Sequence, residues 1–394
     1  EGESETADTA EKETFHIGTV DDLLQLADSC RLDSWSKNRT VYLDADLELT
    51  GSAFAGIPSF SGVFEGQGHT ISGLSLVDDG SVIGFFRYVQ QGANVRDLVI
   101  RGRSMPTGSR STVGGIAGSN AGTLHNCRFE GVSSGASVVG GIAGTNLAAG
   151  VIESCTTTGS VYGAHFIGGI AGENHGIIAN CTNTSSVNTT VEQNDIDLSE
   201  LTLGDLIGTE NVADITDIGG IAGQLSGSGI IDGCVSFGTL TGDLSSAGGI
   251  AGTVRGSAVV RYCRSEGTVT GLRSVGGIAG FLTGGAQIRE CESRAAVTGT
   301  IAVGGIAGRL DKDSHFSDEL DVTVTHAANY GPVSGSSGNA CGTGGIAGWI
   351  GAVENGAYTG AADLSYVYNS GAVTAGGSTE GTACGGLIGN WKTG

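Results

Sequence analysis

The pentapeptide Gly-Gly-Ile-Ala-Gly recurs along the chain and sets the strongest limit on how it can fold. Successive copies begin 26, 28, 51, 29, 28, 28 and 40 residues apart, and a relaxed copy, Gly-Gly-Leu-Ile-Gly, begins 41 residues after the last. A period of this size indicates a stack of similar structural units and outweighs any local reading of the sequence. The copies occupy residues 114–118, 140–144, 168–172, 219–223, 248–252, 276–280, 304–308 and 344–348, and the relaxed copy occupies 385–389.

Each unit contains three short segments rich in β-branched and small residues, separated by glycine or asparagine. None of them has the length or the periodicity of a helix, and their spacing suits strands and turns. Three short strands in every unit predict an all-β fold, a right-handed parallel β-helix of roughly 11 rungs. Each rung would stack on the one before it at about 4.8 Å.

Two residue types recur at fixed positions and are predicted to fill the bore of this solenoid. They are the isoleucine of each pentapeptide and a cysteine that follows the first glycine by 13 or 15 residues. Cysteine behaves as a small hydrophobic residue when it is buried. The glycine pairs are interpreted as corners, where the backbone needs angles that a Cβ forbids or must bend sharply. The predicted core ladder is Cys127, Cys155, Cys181, Cys234, Cys263, Cys291, Ile116, Ile142, Ile170, Ile221, Ile250, Ile278, Ile306 and Ile346.

The cysteine spacing predicts free thiols rather than disulfides in this column. Stacked inward side chains place their Cβ atoms about 4.8 Å apart, beyond the usual range for a disulfide. Cys341 and Cys384 stand at other offsets, just before their glycine pairs, and a disulfide between these two is left open. No Cys-x-x-Cys spacing occurs, so neither a metal nor another cofactor is expected.

The whole unit resembles the GLUG motif, and the most complete copy runs from Gly168 through Asn180 and Cys181. The resemblance covers roughly residues 41–394. It implies a repeat found in large secreted and surface-anchored bacterial proteins, which include some IgA-cleaving metallopeptidases and many proteins regarded as adhesins. Because the repeat lies outside the catalytic parts of those enzymes, the resemblance implies an architecture and no activity of its own.

The chain divides into three parts. Residues 1–14 are charged and small, which predicts a disordered acidic tail. Residues 15–40 are predicted to form a helical cap, in which Thr19 caps an amphipathic helix that covers the open end of the solenoid; the alternative is a helix that binds a partner. Residues 41–394 form the β-helix. Its long intervals predict insertions at about 186–216, 311–323 and 351–363, either functional loops or segments packed on the wall.

Charge and hydropathy limit the partners and the location. The net charge of −22 argues against a general affinity for nucleic acid or for anionic membranes. No run of 18 apolar residues occurs, so this segment is not expected to insert into a membrane. The acidic opening carries neither a signal peptide nor an anchor and is interpreted as a mature or trimmed N-terminus. With the resemblance, this predicts an extracellular or cell-surface protein, while the sequence leaves the oligomeric state open.

The sequence offers no catalytic constellation. His-Glu-x-x-His is missing, no Ser, His and Asp set stands out, and the seven histidines are scattered. A β-helical polysaccharide lyase or glycoside hydrolase needs carboxylates gathered on one outer face. The columns two residues before and one residue after the repeated cysteine contain no such gathering. A non-enzymatic adhesin or ligand-binding protein is therefore favoured, with a carbohydrate-active enzyme and a passive structural stalk as the alternatives.

Two sets of residues are predicted to bind a host glycan or an extracellular protein. Arg261, Arg264 and Arg289 belong to a basic stretch whose stacked guanidinium groups could bind carboxylated or sulfated glycans through paired hydrogen bonds. The position after the pentapeptide holds Phe281, Arg309 and Trp349, which strand alternation would point outward as a sugar-stacking strip. The alternatives are structural: the arginines pair with nearby glutamates, and the strip lies beneath the late insertions.

Overall fold

The strands of each repeat pair in parallel with the equivalent strands of the repeats before and after it, which confirms the predicted parallel β-helix. The fold is described from a computed structural model. Among the described residues, the only antiparallel pairing joins Ala352–Glu354 to Ala357–Thr359. The structure describes residues 13–78, 80–107, 111–189, 216–242, 246–311, 321–336, 342–354, 357–359, 362–376 and 384–391.

A full rung has four faces, where the sequence predicted three strands. We number the faces 1 to 4 in the order in which the chain follows them. The face that was missed, face 3, consists of two or three residues next to each glycine pair, such as Thr112–Val113 and Val138–Gly140. Segments this short carry no alternation that a sequence pattern could reveal.

The strands of each face are as follows. Face 1 contains 12 strands: Glu13–Ile17, Arg39–Leu43, Val63–Glu65, Asn94–Arg96, Thr123–His125, Val151–Glu153, Ile177–Ala179, Ile230–Asp232, Val259–Arg261, Gln287–Arg289, Val322–Thr325 and Ala362–Ser365. Face 2 has one strand per rung up to Thr156–Gly163 and mostly two thereafter: Leu47–Glu48, Thr70–Leu76, Val99–Ser104, Arg128–Gly135, Thr156–Gly163, Thr182–Asn183, Ser186–Thr189, Val235–Ser236, Thr239–Thr241, Arg264–Ser265, Thr268–Thr270, Glu292–Ser293, Ala296–Gly299, Ala328–Asn329, Val333–Gly335, Tyr368–Asn369 and Val373–Ala375. Face 3 contains Val82–Ile83, Thr112–Val113, Val138–Gly140, Phe166–Gly168, Asp217–Gly219, Ala247–Gly248, Val275–Gly276, Val303–Gly304, Thr343–Gly344 and Cys384–Gly385. Face 4 contains Ile57–Phe60, Phe86–Val89, Ala117–Asn120, Ala143–Asn146, Ala171–Asn174, Ala222–Leu225, Ala251–Arg255, Ala279–Thr283, Ala307–Asp311, Ala347–Ile350 and Ile388–Trp391.

The β-helix begins earlier than the sequence predicted. Strand Glu13–Ile17 pairs in parallel with Arg39–Leu43, so Glu13 and Thr14 belong to face 1 rather than to a disordered tail. The prediction was wrong there because backbone pairing, rather than apolar content, orders these two residues. The rest of the predicted tail, residues 1–12, lies outside the described residues.

A single helix, α1 (Val20–Ser29), lies between these first two strands. Thr19 caps it: its hydroxyl accepts a hydrogen bond from the Asp22 N–H, and the Asp22 carboxylate accepts one from the Thr19 N–H. The hydrogen bond from the Thr19 side chain lowers the pKa of Asp22 below its usual value. Leu23 and Leu26 are fully buried in the same core as the first rungs. The helix therefore covers apolar surface at this end of the stack, as solenoid ends require.

The bore holds the residues that repeat. All fourteen isoleucines and cysteines of the predicted ladder have side chains that are 2% exposed or less. Each pentapeptide isoleucine also donates its backbone N–H to the carbonyl of the equivalent residue one rung further, as Ile250 does to Ile278 at 2.9 Å and Ile346 does to Leu387 at 2.8 Å. Like residues therefore stack on like, and each buried Leu- or Ile-sized side chain contributes about 1.5–3 kcal/mol by leaving water.

The cysteine column consists of free thiols. Cys155 and Cys181 each donate a backbone N–H to the sulfur of the next cysteine in the column at 3.4 Å. Burial raises the pKa of the Cys155 and Cys263 thiols well above the usual value. Cys384 is exposed and carries a free thiol, and Cys341 lies outside the described residues.

Burial at the C-terminal end of helix α1 raises the pKa of the Cys30 thiol to about 11. A thiol whose pKa is raised by folding stabilises the native state below its unfolded pKa of about 8.5, and that contribution is lost as the pH rises toward 11. We expect urea unfolding to show a smaller fall in stability between pH 8 and pH 11 for Cys30→Ala than for the wild type. Equal falls would contradict the assignment. In native protein at pH 8, an alkylating reagent should label Cys384 and none of the buried thiols.

The glycine pairs act through space rather than through backbone angles, so of the two sequence interpretations the sharp corner fits the structure and the unusual backbone angles do not. None of the pentapeptide glycines has a positive φ. A Cβ on the first glycine of a pair would lie about 2 Å from the carbonyl oxygen three residues on, as between Gly168 and Ala171 (1.8 Å). A Cβ on the second glycine would meet a side chain from face 2, as Gly277 would meet the Ser293 hydroxyl at 2.0 Å. Each pair of the eight Gly-Gly-Ile-Ala-Gly copies is therefore a corner that only hydrogen atoms can fill, whereas Gly386 of the relaxed copy has open space at this position.

The corner between faces 1 and 2 does require an unusual backbone. One residue per rung, immediately before the cysteine position, has φ between +50° and +61°. Glycine and asparagine adopt this left-handed region most readily, and other side chains cost about 1–2 kcal/mol. We call these residues the corner column: Asp97, Asn126, Ser154, Asn180, Gly233, Tyr262, Glu290, His326 and Tyr366.

A ladder of buried asparagines runs through three rungs of face 4, and the sequence analysis did not identify it. Asn120 Nδ2 donates to Asn146 Oδ1 at 2.8 Å, and Asn146 Nδ2 donates to Asn174 Oδ1 at 2.7 Å. The same amides bond the backbone of the following turn, as between Gly122 N and Asn120 Oδ1. In the next rung Leu225 takes the position, so the column changes from polar to apolar.

The insertions are shorter than predicted. Ser186–Thr189 is a face 2 strand, Asp311 ends a face 4 strand, and Val322 begins a face 1 strand. The third insertion contains the antiparallel hairpin, and its predicted end falls within strand Ala362–Ser365. The predicted bounds therefore included regular rungs. Residues 190–215, 312–320 and 360–361 lie outside the described residues.

Candidate functional site

The predicted sugar-stacking strip is in register on face 4 but is not an exposed surface. Phe281 pairs with Arg309, and Arg309 pairs with Trp349. Trp349 is only 4% exposed, and its indole N–H donates to the Gly351 carbonyl at 2.6 Å. The Arg309 guanidinium lies 5.1 Å from the centre of the Phe281 ring and forms an ion pair with the buried Asp311. The expectation of an exposed strip was wrong because these side chains are occupied by one another and by the backbone.

The three other predicted residues lie on a different side of the molecule. Arg261 and Arg289 are register partners on face 1, and Arg264 is on face 2, just beyond the corner column. Arg261 pairs with Asp232 at 2.7 Å, and Arg264 lies 2.8 Å from a Glu266 carboxylate oxygen. The structural alternative, pairing with nearby carboxylates, therefore describes two of the three arginines.

Around these arginines the structure gathers exposed tyrosines that the sequence analysis did not single out. Tyr262 and Tyr366 belong to the corner column and are 63% and 79% exposed. Tyr330 and Tyr368 lie on face 2 and are 45% and 54% exposed. We name this region the tyrosine–arginine surface and define it by Tyr262, Tyr330, Tyr366, Tyr368, His326, Arg261, Arg264, Arg289 and Arg294.

The rings of this surface contact one another across rungs. The His326 and Tyr366 rings stack with centroids 4.6 Å apart and planes 17° apart. Tyr330 and Tyr368 lie 6.0 Å apart, and the Arg294 guanidinium lies 5.6 Å from the Tyr330 ring. These contacts hold the rings in place while leaving much of each tyrosine exposed to solvent. Such a patch presents apolar ring faces beside hydrogen-bond donors.

Backbone conformation gives an independent reason to associate these residues with function. The N-terminal half of the corner column contains Asn126, Asn180 and Gly233, which suit the left-handed region. The C-terminal half contains Tyr262 and Tyr366, which do not. Residues held in a disfavoured conformation cluster at functional sites. Tyr262 and Tyr366 are 63% and 79% exposed, so little burial offsets the cost of this conformation, and we associate them with a role in binding.

The N-terminal half of the same corner has a different chemistry. A groove of about 580 Å³ is lined by Gln67, Asp97, Asn126 and Arg128 among other residues. Asn126 Nδ2 donates to Asp97 Oδ1 at 2.6 Å, and Arg128 bonds Glu130 at 3.1 Å. The groove has no aromatic lining residue, so its polar groups bond mainly to each other.

The residue immediately before the repeated cysteine carried the sequence evidence for the tyrosine–arginine surface. The columns two residues before and one residue after the cysteine were compared, but the residue immediately before it was not. That position holds Tyr262, and in the last rungs the cysteine is replaced by Ala327 and Val367, which hid His326 and Tyr366 from the alignment.

The described residues give no support for a metal centre or a membrane span. Among them, no three His, Cys, Asp or Glu side chains lie close enough to share a metal ion. The described part of the chain also contains no helix with the length and apolar character needed to cross a bilayer.

Fold and surface together define a parallel β-helix protein with an exposed aromatic and cationic region, and no known family profile matches the chain. Over 148 residues, 33% of the chain, it is 29% identical to Halomucin from Haloquadratum walsbyi, and the match spans only 2% of that protein. A solved structure of a proposed immunoglobulin A1 protease from Bacteroides ovatus covers 97% of this chain, and 85% of that chain is covered in return, with 15% identity and a TM-score of 0.37. The resemblance to the GLUG motif therefore stays a prediction.

Proposed function

We propose that this is an extracellular or cell-surface β-helix protein that binds carbohydrate through the tyrosine–arginine surface. The observation that carries the proposal is the set of four exposed tyrosines on three of four successive rungs, two of them in a left-handed backbone conformation that disfavours tyrosine. The secreted and surface-anchored proteins that the repeat resembles support the location.

The chemistry of the surface suits a sugar. The faces of aromatic rings carry partial negative charge and attract the polarised C–H bonds on one face of a pyranose ring. Arginine donors next to the rings can bond the hydroxyl groups that project from the edge of the sugar. Both kinds of group stand on rungs that stack at about 4.8 Å, so the surface is preorganised and little entropy is lost on binding.

A protein ligand is the second candidate, because tyrosine and arginine are also the residues that dominate protein–protein hot spots. The notion of a passive stalk is disfavoured by the same exposed rings, since a wall that only spaces other domains needs no aromatic patch. Binding screens against glycans and against extracellular matrix proteins, carried out in parallel, separate these candidates.

Removing two of the tyrosines should abolish most of the binding. We expect Tyr366→Ala/Tyr368→Ala to lower the affinity for a glycan identified on an array by at least about tenfold, or about 1.4 kcal/mol, because two ring faces are lost. Isothermal titration calorimetry measures the change. Tyr88→Ala is the matched control: Tyr88 is 43% exposed but lies on face 4. Equal affinity of the double variant and the wild type would rule out this surface as the glycan site.

A further inference from the structure

Two arginines with like charge are stacked on face 1 beside the tyrosines. Arg261 and Arg289 are direct register partners on adjacent rungs. Like charges placed opposite each other on neighbouring strands destabilise a sheet. Asp232 compensates the charge of Arg261. One oxygen of its carboxylate lies 2.9 Å from the Arg261 Nε and 2.7 Å from one terminal nitrogen.

No carboxylate compensates the charge of Arg289 within the described part of the chain. It is exposed and has no ion pair or hydrogen bond through its side chain there. The chain contains 41 acidic and 19 basic residues, so an arginine without a carboxylate partner is unusual. Ten other arginines each have an acidic partner: Arg31, Arg39, Arg87, Arg96, Arg101, Arg128, Arg261, Arg264, Arg294 and Arg309.

The neighbouring face 2 arginines also retain free donors. Arg264 Nε lies 2.8 Å from Glu266 Oε1, but the geometry is not that of a hydrogen bond, and this buried N–H has no acceptor. Arg294 uses one terminal nitrogen to reach Glu292 at 3.3 Å. The side chains of Arg264 and Arg294 are 42% and 50% exposed, so the terminal nitrogens that no carboxylate occupies are open to an oxygen-rich ligand.

We propose that the sugar bound at the tyrosine–arginine surface is acidic, and that Arg261 and Arg289 bind its carboxylate or sulfate groups. This inference rests on the proposed function and specifies its ligand class. The Arg289 guanidinium offers two parallel N–H donors that match the two oxygens of a carboxylate or sulfate, while Arg261, whose Nε and one terminal nitrogen bond Asp232, contributes its other terminal nitrogen. An anion between Arg261 and Arg289 would also remove the repulsion between them. Tyr262, next to Arg261 in the chain and 63% exposed, is available to the uncharged part of the same sugar.

Three matched oligosaccharides test the ligand class by calorimetry: an oligogalacturonate, a sulfated glycosaminoglycan fragment and a neutral cello-oligosaccharide of equal length. We expect at least one acidic sugar to bind at least ten times more tightly than the neutral one, with an affinity that falls as salt is added. The two acidic probes distinguish carboxylate from sulfate as the bound group. Equal binding of acidic and neutral sugars would overturn this inference and leave the proposed function in place.

Arg289→Gln should lower the affinity for the preferred acidic sugar by about tenfold and leave the affinity for any neutral sugar unchanged. Arg289→Lys should recover only part of the lost affinity. The matched control is Arg96→Gln, which removes the same charge from an outward position on face 1, where Arg96 pairs with Glu65. An equal loss in both variants would mean a long-range charge effect and would overturn the proposed contact.

A single-stranded oligonucleotide serves as a non-sugar polyanion in the same assay. If it binds as well as the acidic sugars, and the Tyr366→Ala/Tyr368→Ala variant binds both normally, the surface attracts polyanions in general, and both the inference and the proposed function fail. If none of the probes binds, the acidic-sugar assignment is overturned, and the glycan array then decides the proposed function independently.

Discussion

Replacing Gly277 with alanine should lower the free energy of unfolding by about 3 kcal/mol, the upper part of the usual range for overpacking. A Cβ at this position would lie 2.0 Å from the Ser293 hydroxyl and 2.1 Å from the Gly305 carbonyl oxygen. A side chain could turn away, but the carbonyl belongs to the backbone of the next rung and cannot. Urea unfolding followed by circular dichroism measures the loss.

The last repeat provides the matched control for this experiment. Gly386 is the second glycine of its pair, as Gly277 is, but a Cβ there would have no atom within 4 Å, and its φ is not positive. Gly386→Ala should therefore leave stability within about 0.5 kcal/mol of the wild type. Similar losses in the two variants would mean that the glycine acts through backbone conformation, contrary to the contacts.

Replacing Asn146 with leucine should cost about 3 kcal/mol, because it interrupts the buried ladder at its centre. The Asn146 amide donates to Asn174 and to the Gly150 carbonyl and accepts a hydrogen bond from Asn120. Each buried polar group that loses its partner costs about 1–3 kcal/mol.

The comparison that tests the ladder is the triple variant in which Asn120, Asn146 and Asn174 all become leucine. It removes donors and acceptors together and extends the apolar column that Leu225 begins. Its loss of stability should be smaller than the sum of the three single losses, because interacting residues are not additive. Additive losses would show that the asparagines act independently through their own turns.

The sequence predicted the fold well where one residue type repeated at one position. The isoleucine and cysteine columns, the free thiols and the capped helix were all readable, because apolar stacking and capping depend on residue type. The four-sided cross-section was not readable, since the face 3 strands, such as Thr343–Gly344, are only two or three residues long. The glycine pairs were predicted as corners, but the reason for them could not be read, because it depends on contacts between rungs that appear only when the chain is folded.

The candidate site was predictable only in part. Arg261, Arg264 and Arg289 were identified from charge, and they do share one surface. Phe281 and Trp349 were chosen by strand alternation, but alternation cannot tell an outward side chain that is covered from one that is exposed; Trp349 is covered. Tyr366 and Tyr368 belong to a rung that lacks the cysteine, so only the three-dimensional register aligns them with the arginines.

The in-register stacking of the rungs has a consequence for how such a chain can evolve. Gly248, Gly276 and Gly304 follow each other at intervals of 28 residues, and each rung offers its successor almost the same edge that it received from its predecessor. A duplication of one such interval would therefore insert as a complete turn without disturbing the turns on either side. Each turn contacts chiefly its neighbours. Duplication within the gene can therefore repeat an outward-facing binding surface at a fixed spacing, while the same buried residues are repeated in the interior.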